Sequence, residues 1–449
     1  MQEQRGIGKL ISISDVICLI LVMCLFYEAG YGIMQVLGRV PSKHVLFAMT
    51  GHFSNPGPFG GFVAMLMAIC LSYSVFVNVD SIYRKWIKRV CVAASVLGFI
   101  VLPASMSRAA WLSLIVVLCI LALKQKKVRD WLKNNSTKQL LLCSILVVTS
   151  VGAFLLKRDS ALGRLHVWHM EVRAIASSPF VGFGKGSFAF VYGQTQAEYF
   201  SSAERALWEV RVAGCPEYAF NEYLKVGMEW GLLSFVLAIV VAVFVCAILI
   251  KRNNPLGYGA LALSVFACFS YPLSLWQFKL FAGLYLFAAI GNLCGRHAWI
   301  AYVSYIVLLC SAGLFPRDRI RKPDFRDLYM QGYTMFQNGR YEQAISVLQE
   351  GSEQSCDPMF HNIIGRCYES LGEKEMAEKE YWHAYYMVPG RLYPLVLLQE
   401  MYLSQADTAN AREMLVLMDR IQVNNKNSNM KVLRKRAENN MLNTKPFLP

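Results

Sequence analysis

The sequence lacks the short motifs by which many soluble enzymes are recognised. It contains no P-loop, no nucleophile elbow, no HExxH segment and no Rossmann glycine fingerprint. It has 13 cysteines but no CxxC and no Cys/His spacing typical of a metal site. We therefore expect no metal and no cofactor.

The cysteines also give little sign of a disulfide framework. All but Cys215, Cys356 and Cys367 lie in apolar blocks, where cysteine behaves as a small hydrophobic residue. Cys356 and Cys367 could pair in an oxidising compartment, but we favour free thiols.

Charge is also scarce: 17% of the residues are charged, whereas 55% are hydrophobic, and the mean hydropathy is +0.36. An ordinary soluble domain of this length rarely has such a composition. The apolar residues form blocks of roughly 17–25 residues, the length of a membrane-spanning helix. We interpret nine blocks as spans, all before residue 316: 13–29, 59–79, 89–104, 109–123, 138–156, 221–250, 257–272, 277–294 and 298–315. The first has no small-residue cleavage site, so we expect it to be retained.

The net charge of +15 does not indicate nucleic-acid binding, because the basic residues lie mostly in short loops between the blocks. Residues 84–89 and 124–138 are two such loops, and the positive-inside rule places both in the cytoplasm. The loops at 30–58, 105–108, 157–220 and 271–276 then face outward. With nine spans the C-terminal domain also lies outside, in the periplasm of a bacterium. One missed span would reverse this last assignment.

The longest outward loop, 157–220, contains enough aromatic residues to fold. We predict an amphipathic helix from Arg164 to Ser177 on the outer membrane face. Its apolar side would carry Leu165, Trp168, Val172 and Ile175. Pro179 and the glycine-rich run that follows end this helix.

The C-terminal region, 323–422, repeats itself with a step of about 33–34 residues, the period of tetratricopeptide repeats. Gly332, Ala344 and Gly351 recur as Gly365, Ala377 and Ala384, and a third unit is weaker. The alternative is a plain bundle of helical hairpins. Tetratricopeptide repeats bind peptides or partner proteins, so we expect a protein partner here. The polar tail, 423–449, is expected to be loosely ordered.

The sequence therefore predicts an all-α protein. Residues 1–315 would form a polytopic transmembrane bundle, and 323–422 a helical-repeat domain.

Polar residues at the outward ends of the spans are the candidates for chemistry. Arg108 sits in a very tight hairpin, and Arg164 lies at the start of the predicted helix; either could simply contact lipid headgroups. His52 and Asn55 lie in a turn that could contact a sugar. The polar segment that begins at Glu217 leads into the sixth block. Its Lys225 and Glu229 could form a structural ion pair and have no part in the chemistry. The other candidates are Glu217, Asn221, Glu222, His166 and His169.

Taken in order, these segments resemble the O-antigen ligase and polymerase superfamily, which includes bacterial protein O-oligosaccharyltransferases. The resemblance covers about residues 45–295. The matching elements are Gly51–Pro56, Ser107–Trp111, Arg164–Trp168, Pro179–Phe188 and the set Asn221, Leu224, Glu229 and Gly231. The sequence departs from the family at Phe220, where a histidine usually precedes the asparagine. That departure leaves the general base unassigned.

The resemblance implies transfer of a glycan from undecaprenyl diphosphate to a periplasmic acceptor, either lipid A–core or a protein hydroxyl. The implied partners are the lipid-linked glycan, that acceptor and membrane lipids. Arginine matches phosphate oxygens bidentately, so Arg108 and Arg164 are the candidates for holding the diphosphate. Glu217 is our candidate for the base, with Glu222, His166 and His169 as substitutes.

We also predict that the substrates are bound by His52, Asn55, His169, Asn221 and Glu222. One alternative is an O-antigen polymerase that extends the lipid-linked glycan. Another is a non-enzymatic membrane scaffold or transporter with a partner-binding repeat domain.

Overall fold

The computed structural model of the chain describes residues 12–133, 158–314, 323–421 and 428–443, which contain twenty α-helices and no strand. The first ten are α1 (Ile13–Val36), α2 (Pro56–Phe76), α3 (Ile82–Ala104), α4 (Arg108–Lys124), α5 (Lys126–Lys133), α6 (Arg158–Ser177), α7 (Phe188–Ser201), α8 (Leu207–Val212), α9 (Glu222–Trp230) and α10 (Leu232–Lys251). The others are α11 (Pro255–Ala267), α12 (Trp276–Cys294), α13 (Ala298–Leu314), α14 (Phe325–Gln337), α15 (Tyr341–Ser352), α16 (Met359–Leu371), α17 (Lys374–Met387), α18 (Tyr393–Ser404), α19 (Thr408–Arg420) and α20 (Ser428–Asn443).

The chain divides into two compact units. The first unit comprises residues 1–156, 220–223 and 236–317. The second unit comprises residues 157–219, 224–235 and 318–449. The loop predicted to face outward and the C-terminal region therefore belong to the same compact unit, although they are far apart in sequence.

The described helices confirm a polytopic helical bundle. Five of them are long and apolar enough to cross a membrane, namely α1, α2, α3, α10 and α12, and α11 and part of α13 are shorter apolar helices. The predicted span 138–156 lies outside the described residues. The predicted block 221–250 is two helices, α9 and α10, separated at Gly231, whose φ is +85°. The count of nine spans remains a prediction.

Local capping signals explain where the helices of the first unit begin. Ser12 and Asp15 form a capping box at the start of α1. Asn55 accepts a hydrogen bond from the Gly57 N–H and is followed by a proline at the first helical position of α2. Asn254 and Pro255 repeat this arrangement at α11.

Polar contacts at helix ends show that the first helices run antiparallel. At one end, Asp15 accepts hydrogen bonds from the Tyr73 hydroxyl (2.8 Å) and Arg84 Nε (3.2 Å), which joins the start of α1, the end of α2 and the start of α3. At the other end, Gln35 in the last turn of α1 accepts from the backbone N–H groups of Thr50 and Gly51. This alternation agrees with the predicted order of loops.

Small residues allow the helices of the first unit to approach closely around α2, which is buried on nearly every side. A side chain at Gly61 would collide with the Phe266 ring, and a Cβ at Gly98 would lie 2.5 Å from the Met67 sulfur. By contrast, α10 is exposed along most of its apolar length. Without a hydrophobic difference between lipid and helix, such packing is what holds apolar helices together.

The repeats of the second unit form three helical hairpins: α14–α15, α16–α17 and α18–α19. A Cβ at Gly332 would lie 2.5 Å from Leu348 Cγ, and one at Gly365 would lie 2.5 Å from Tyr381 Cε1. The predicted small residues are therefore where paired helices approach closely. Gly339 and Gly372 have positive φ at equivalent turns, and Ala406 has φ +60° at that place in the third hairpin. The tetratricopeptide assignment itself remains a prediction.

The expectation of a loosely ordered tail was wrong for residues 428–443, which form α20. Ala437 of this helix is fully buried, and its carbonyl accepts a hydrogen bond from Gln399. Arg436 donates two hydrogen bonds to the Glu400 carboxylate (2.7 and 2.8 Å). The polar composition hid a helix that covers the last hairpin.

The favoured free thiol at Cys356 was also wrong. Cys215 and Cys356 form a disulfide, with Cα atoms 5.4 Å apart, and Cys367 is a buried free thiol. Sequence spacing could not indicate this pairing, because the two cysteines are 141 residues apart and meet only through the fold of the second unit.

Candidate functional site

His52 lies in the loop before α2 and is held by a carboxylate that the sequence analysis missed. Its Nδ1 lies 2.9 Å from Glu28 Oε1, and its backbone N–H donates to Glu28 Oε2 (3.3 Å). The Tyr27 hydroxyl lies 3.2 Å from Nε2. A carboxylate on Nδ1 holds a proton there and leaves Nε2 as the accepting nitrogen. The sequence did contain a signal for this contact, because Glu28 is a carboxylate within a predicted membrane helix.

The same loop is attached to the hairpin that carries Arg108. Ser107 Oγ donates a hydrogen bond to the Gly57 carbonyl (3.3 Å), and Ser107 caps α4, which Arg108 begins. The Arg108 side chain is half-buried. Asn55 uses its side-chain oxygen to cap α2, so this part of the predicted sugar contact also has a structural task.

The start of α9 lies at a third loop of the first unit. The Glu222 side chain, 4% exposed, accepts a hydrogen bond from the Ser274 N–H (3.1 Å). Asn221 accepts from the Tyr223 N–H (3.0 Å). Phe220 has φ +55° and its ring packs edge-on against Tyr271, 5.7 Å away.

These loops of the first unit are linked by aromatic packing. Phe53, next to His52, contacts Phe278, which follows the loop that carries Ser274. We call residues 51–58, 105–108, 220–223 and 271–276 the loop cluster. It brings His52, Asn55, Arg108, Asn221 and Glu222 to the ends of the apolar helices.

The other predicted residues belong to the second unit. Arg158 already belongs to α6, so Arg164 lies inside this helix and not at its start. The side chain is half-buried. On the predicted apolar side, Leu165 and Val172 are exposed, whereas Ile175 is buried together with Val167, Met170 and Ala174 in the core of the second unit. The predicted membrane contact of this side stays a prediction.

The two histidines of α6 have different surroundings. His166 is 2% exposed, and its Nε2 lies 2.8 Å from Gln196 Oε1. Burial lowers the pKa of His166 below its ordinary value, so the ring is neutral at pH 7. His169 is exposed and packs edge-on against Tyr199, 5.3 Å away. His166 is therefore part of the packing, whereas His169 is accessible.

The glycine-rich run is held by Glu229, which is 6% exposed. The Gly184 N–H donates to the Glu229 carbonyl (2.9 Å), and the Gly186 N–H donates to its side-chain Oε1 (3.0 Å). Gly182, Gly184 and Gly186 all have positive φ, which other residues adopt at a cost. Glu229 thus shapes this turn.

Glu217, the predicted base, is exposed and pairs with Arg326 at the start of α14. Within the described residues, no group of three or more His, Cys, Asp or Glu side chains is placed to hold a metal ion.

Comparison with known proteins gives a match that lies in the first half and middle of the chain. No curated protein sequence matches it significantly. A family model described as O-antigen ligase matches residues 93–239. The match contains the Arg108 and Arg164 motifs, the glycine-rich run and the Asn221–Gly231 segment, and it excludes Gly51–Pro56. The resemblance to the O-antigen ligase superfamily read from those motifs is therefore confirmed over residues 93–239.

Proposed function

We propose that this protein transfers a glycan from undecaprenyl diphosphate to a hydroxyl group on a periplasmic acceptor, either lipid A–core or a protein. The observation that carries the proposal is the O-antigen ligase match at residues 93–239, which includes two of the four segments of the loop cluster. A polyprenyl chain needs an apolar bundle, whereas the diphosphate and sugar need polar groups at its end. The first unit offers both.

The chemistry requires charge stabilisation. The acceptor oxygen forms a bond to the anomeric carbon, the bond from that carbon to the phosphate oxygen breaks, and the lipid diphosphate leaves. Negative charge grows on the diphosphate, and fixed arginines stabilise it. We assign this role to Arg108 and Arg164 on the basis of their sequence motifs.

The acceptor hydroxyl loses its proton to a base. Glu217 is the base proposed from the sequence, and it pairs with Arg326. The structure favours a second candidate, His52, because Glu28 fixes the proton on Nδ1 and leaves Nε2 as the acceptor. In this proposal Asn55, His169, Asn221 and Glu222 contact the substrates.

Two observations support a periplasmic location for the second unit. It contains the Cys215–Cys356 disulfide, and such bonds persist in oxidising compartments. It also contains both the long outward loop and the C-terminal region, which therefore lie on the same side of the membrane. We propose the bacterial inner membrane, with the second unit in the periplasm.

The test is complementation of cells that lack the gene, with lipopolysaccharide and glycoproteins examined on gels. We expect wild type to restore one glycosylated band, and Arg108→Ala and Arg164→Ala to fail at normal membrane levels. The matched controls are the exposed arginines Arg129→Ala and Arg412→Ala, which should complement. Full complementation by both test variants would favour a scaffold or transporter.

The same assay separates the remaining alternatives. A missing lipopolysaccharide or glycoprotein band identifies a ligase and its acceptor, whereas short lipid-linked glycans identify a polymerase. Glu217→Gln and His52→Gln compare the two candidate bases, and loss of the true base should reduce transfer about 10²–10⁴-fold. If His52 is the base, Glu28→Gln should lower the rate in parallel without changing donor binding.

A further inference from the structure

The second unit contains a groove between α7 of the outward loop and α17 of the repeats. Two adjoining cavities, of about 470 and 530 Å³, share His383 and Tyr386 on their walls. Both volumes lie in the range typical of ligand pockets, roughly 300–1,000 Å³. None of the residues assigned to the transfer reaction lines these cavities.

The walls of this groove are fixed to each other by buried contacts. Gln196 in α7 donates hydrogen bonds to the carbonyls of Met387 in α17 and Gly214. A Cβ at Gly193 would lie 2.9 Å from Met387 Cε, so the helices are in close contact there. The Cys215–Cys356 disulfide also joins residues 158–219 to the C-terminal region covalently, outside these two helices. The groove is therefore preformed, and a ligand pays no ordering cost for its walls.

The lining combines flat aromatic rings with neutral polar groups. The rings of Trp382 and Tyr386 lie 5.6 Å apart and nearly parallel, at 21°. Gln194 and Thr195 supply an amide and a hydroxyl, and each can both donate and accept hydrogen bonds. His383 packs edge-on against His361, 4.5 Å away, and burial lowers the pKa of His383 to about 4. Its ring is therefore neutral at pH 7 and also both donates and accepts.

The charges of the groove disfavour phosphate as a ligand. Among its described lining residues, Glu198, Glu375 and Glu378 are acidic, and Lys379 supplies the positive charge. An anionic ligand would meet net repulsion. The chemistry fits a compact ligand that has an apolar face for an aromatic ring and many hydroxyl groups at its edges.

We propose that this groove, formed by α7 and α17, binds a saccharide. Pyranose rings place C–H groups on one face, against Trp382 and Tyr386, and present hydroxyls to Gln194, Thr195 and Glu198. The inference deepens the proposed function by giving the sugar part of a substrate its own binding site. It rests on the lining and not on transfer activity.

The test uses full-length protein in lipid nanodiscs, applied to a printed array of bacterial surface oligosaccharides. A retained oligosaccharide is then titrated as the free sugar. Trp382→Ala and Gln194→Ala should each weaken its binding about tenfold or more. Trp208→Ala removes an exposed tryptophan of the same unit outside the groove and should leave binding unchanged.

Thermal unfolding checks that each variant is folded. If Trp382→Ala does not fold, Gln194→Ala, at a half-buried position, still tests the proposal. The proposal is overturned if no oligosaccharide is retained, or if both variants bind as tightly as wild type. Displacement of the sugar by a hexalysine peptide at equal concentration would also overturn the proposal. That result would identify the groove as an acidic site that binds basic peptides. Binding is measured without transfer, so failure of the Arg108 and Arg164 tests leaves this result independent.

Discussion

In the first unit the helices carry apolar residues on all sides, whereas the repeat helices of the second unit each bury one face. Contact in the first unit depends on small residues, such as Gly61 and Gly98, that let neighbouring side chains fit. In the second unit a disulfide, a buried glutamine and the cores of helical hairpins hold the helices. The difference reflects the surroundings, because lipid gives apolar helices no hydrophobic reason to associate.

This comparison predicts that removing a covalent link destabilises only the second unit. Cys215→Ser should lower its free energy of unfolding by about 4 kcal/mol, since the disulfide closes a long loop. Hydrogen exchange on the full-length protein would show faster exchange in residues 158–219 and 323–421. Cys294 is an exposed free thiol, so Cys294→Ser is the control and should change the exchange rates of neither unit. Equal loss of protection in both units would contradict the separation.

Adding a side chain at a close helix contact should destabilise the first unit and leave the second unit unchanged. Gly61→Val places a side chain against the Phe266 ring and should destabilise the first unit by about 2–3 kcal/mol. Gly30→Val is the matched control in a neighbouring helix, because a Cβ there meets nothing within 4 Å. Thermal unfolding in detergent measures both. Similar melting temperatures for the two variants would show that close packing at α2 is not what holds this unit.

Acid should weaken the second unit. His383 has a folded pKa of about 4, whereas an unfolded histidine titrates near 6.5, so the unfolded state binds more protons between these values. Stability therefore falls as the pH drops from about 6.5 towards about 4, by about 2 kcal/mol after allowance for partial exposure. His383→Gln should flatten this dependence, and the exposed His297→Gln should not. An unchanged pH profile in His383→Gln would rule out this histidine as the cause.

The smallest predicted effect is a gain. Ala406 has φ +60° where the other two hairpins have glycine, so Ala406→Gly should stabilise the second unit by about 0.5–1 kcal/mol. Ala344→Gly, at a buried helical position, should destabilise by about 1 kcal/mol. Chemical unfolding followed by circular dichroism distinguishes the two signs. A loss of stability in both would mean that the third turn is not strained.

The two units also differ in how far the sequence predicts them. Hydropathy located the apolar helices of the first unit but not α5, whose residues belong to the basic stretch interpreted as a loop. It also could not show that α2 is central and α10 exposed, since both are apolar throughout. In the second unit the spacing of small residues predicted the hairpins. The polar tail was misjudged, because α20 is stabilised by contacts with α18 and not by its own composition.

The candidate site shows the same limit. Motif order located Arg108, Arg164 and the glycine-rich run, since each is a local pattern. Glu28 was missed because its partner His52 is 24 residues away. The two side chains meet only once the loop after α1 has folded back onto that helix. Cys215 and Cys356 were not paired for the same reason. Local signals specify elements and turns, whereas pairings between distant residues depend on the completed fold.

The joint folding of residues 158–219 with 323–421 constrains the order in which the protein can mature. The ribosome makes the loop first and the repeats last, with several membrane helices between them. The Gln196 contact with Met387 and the Cys215–Cys356 disulfide therefore cannot form until Met387 and Cys356 have been synthesised and have reached the same compartment. During that interval the loop is an unfinished half-domain, and a chain that terminates early leaves it as a substrate for proteases and chaperones.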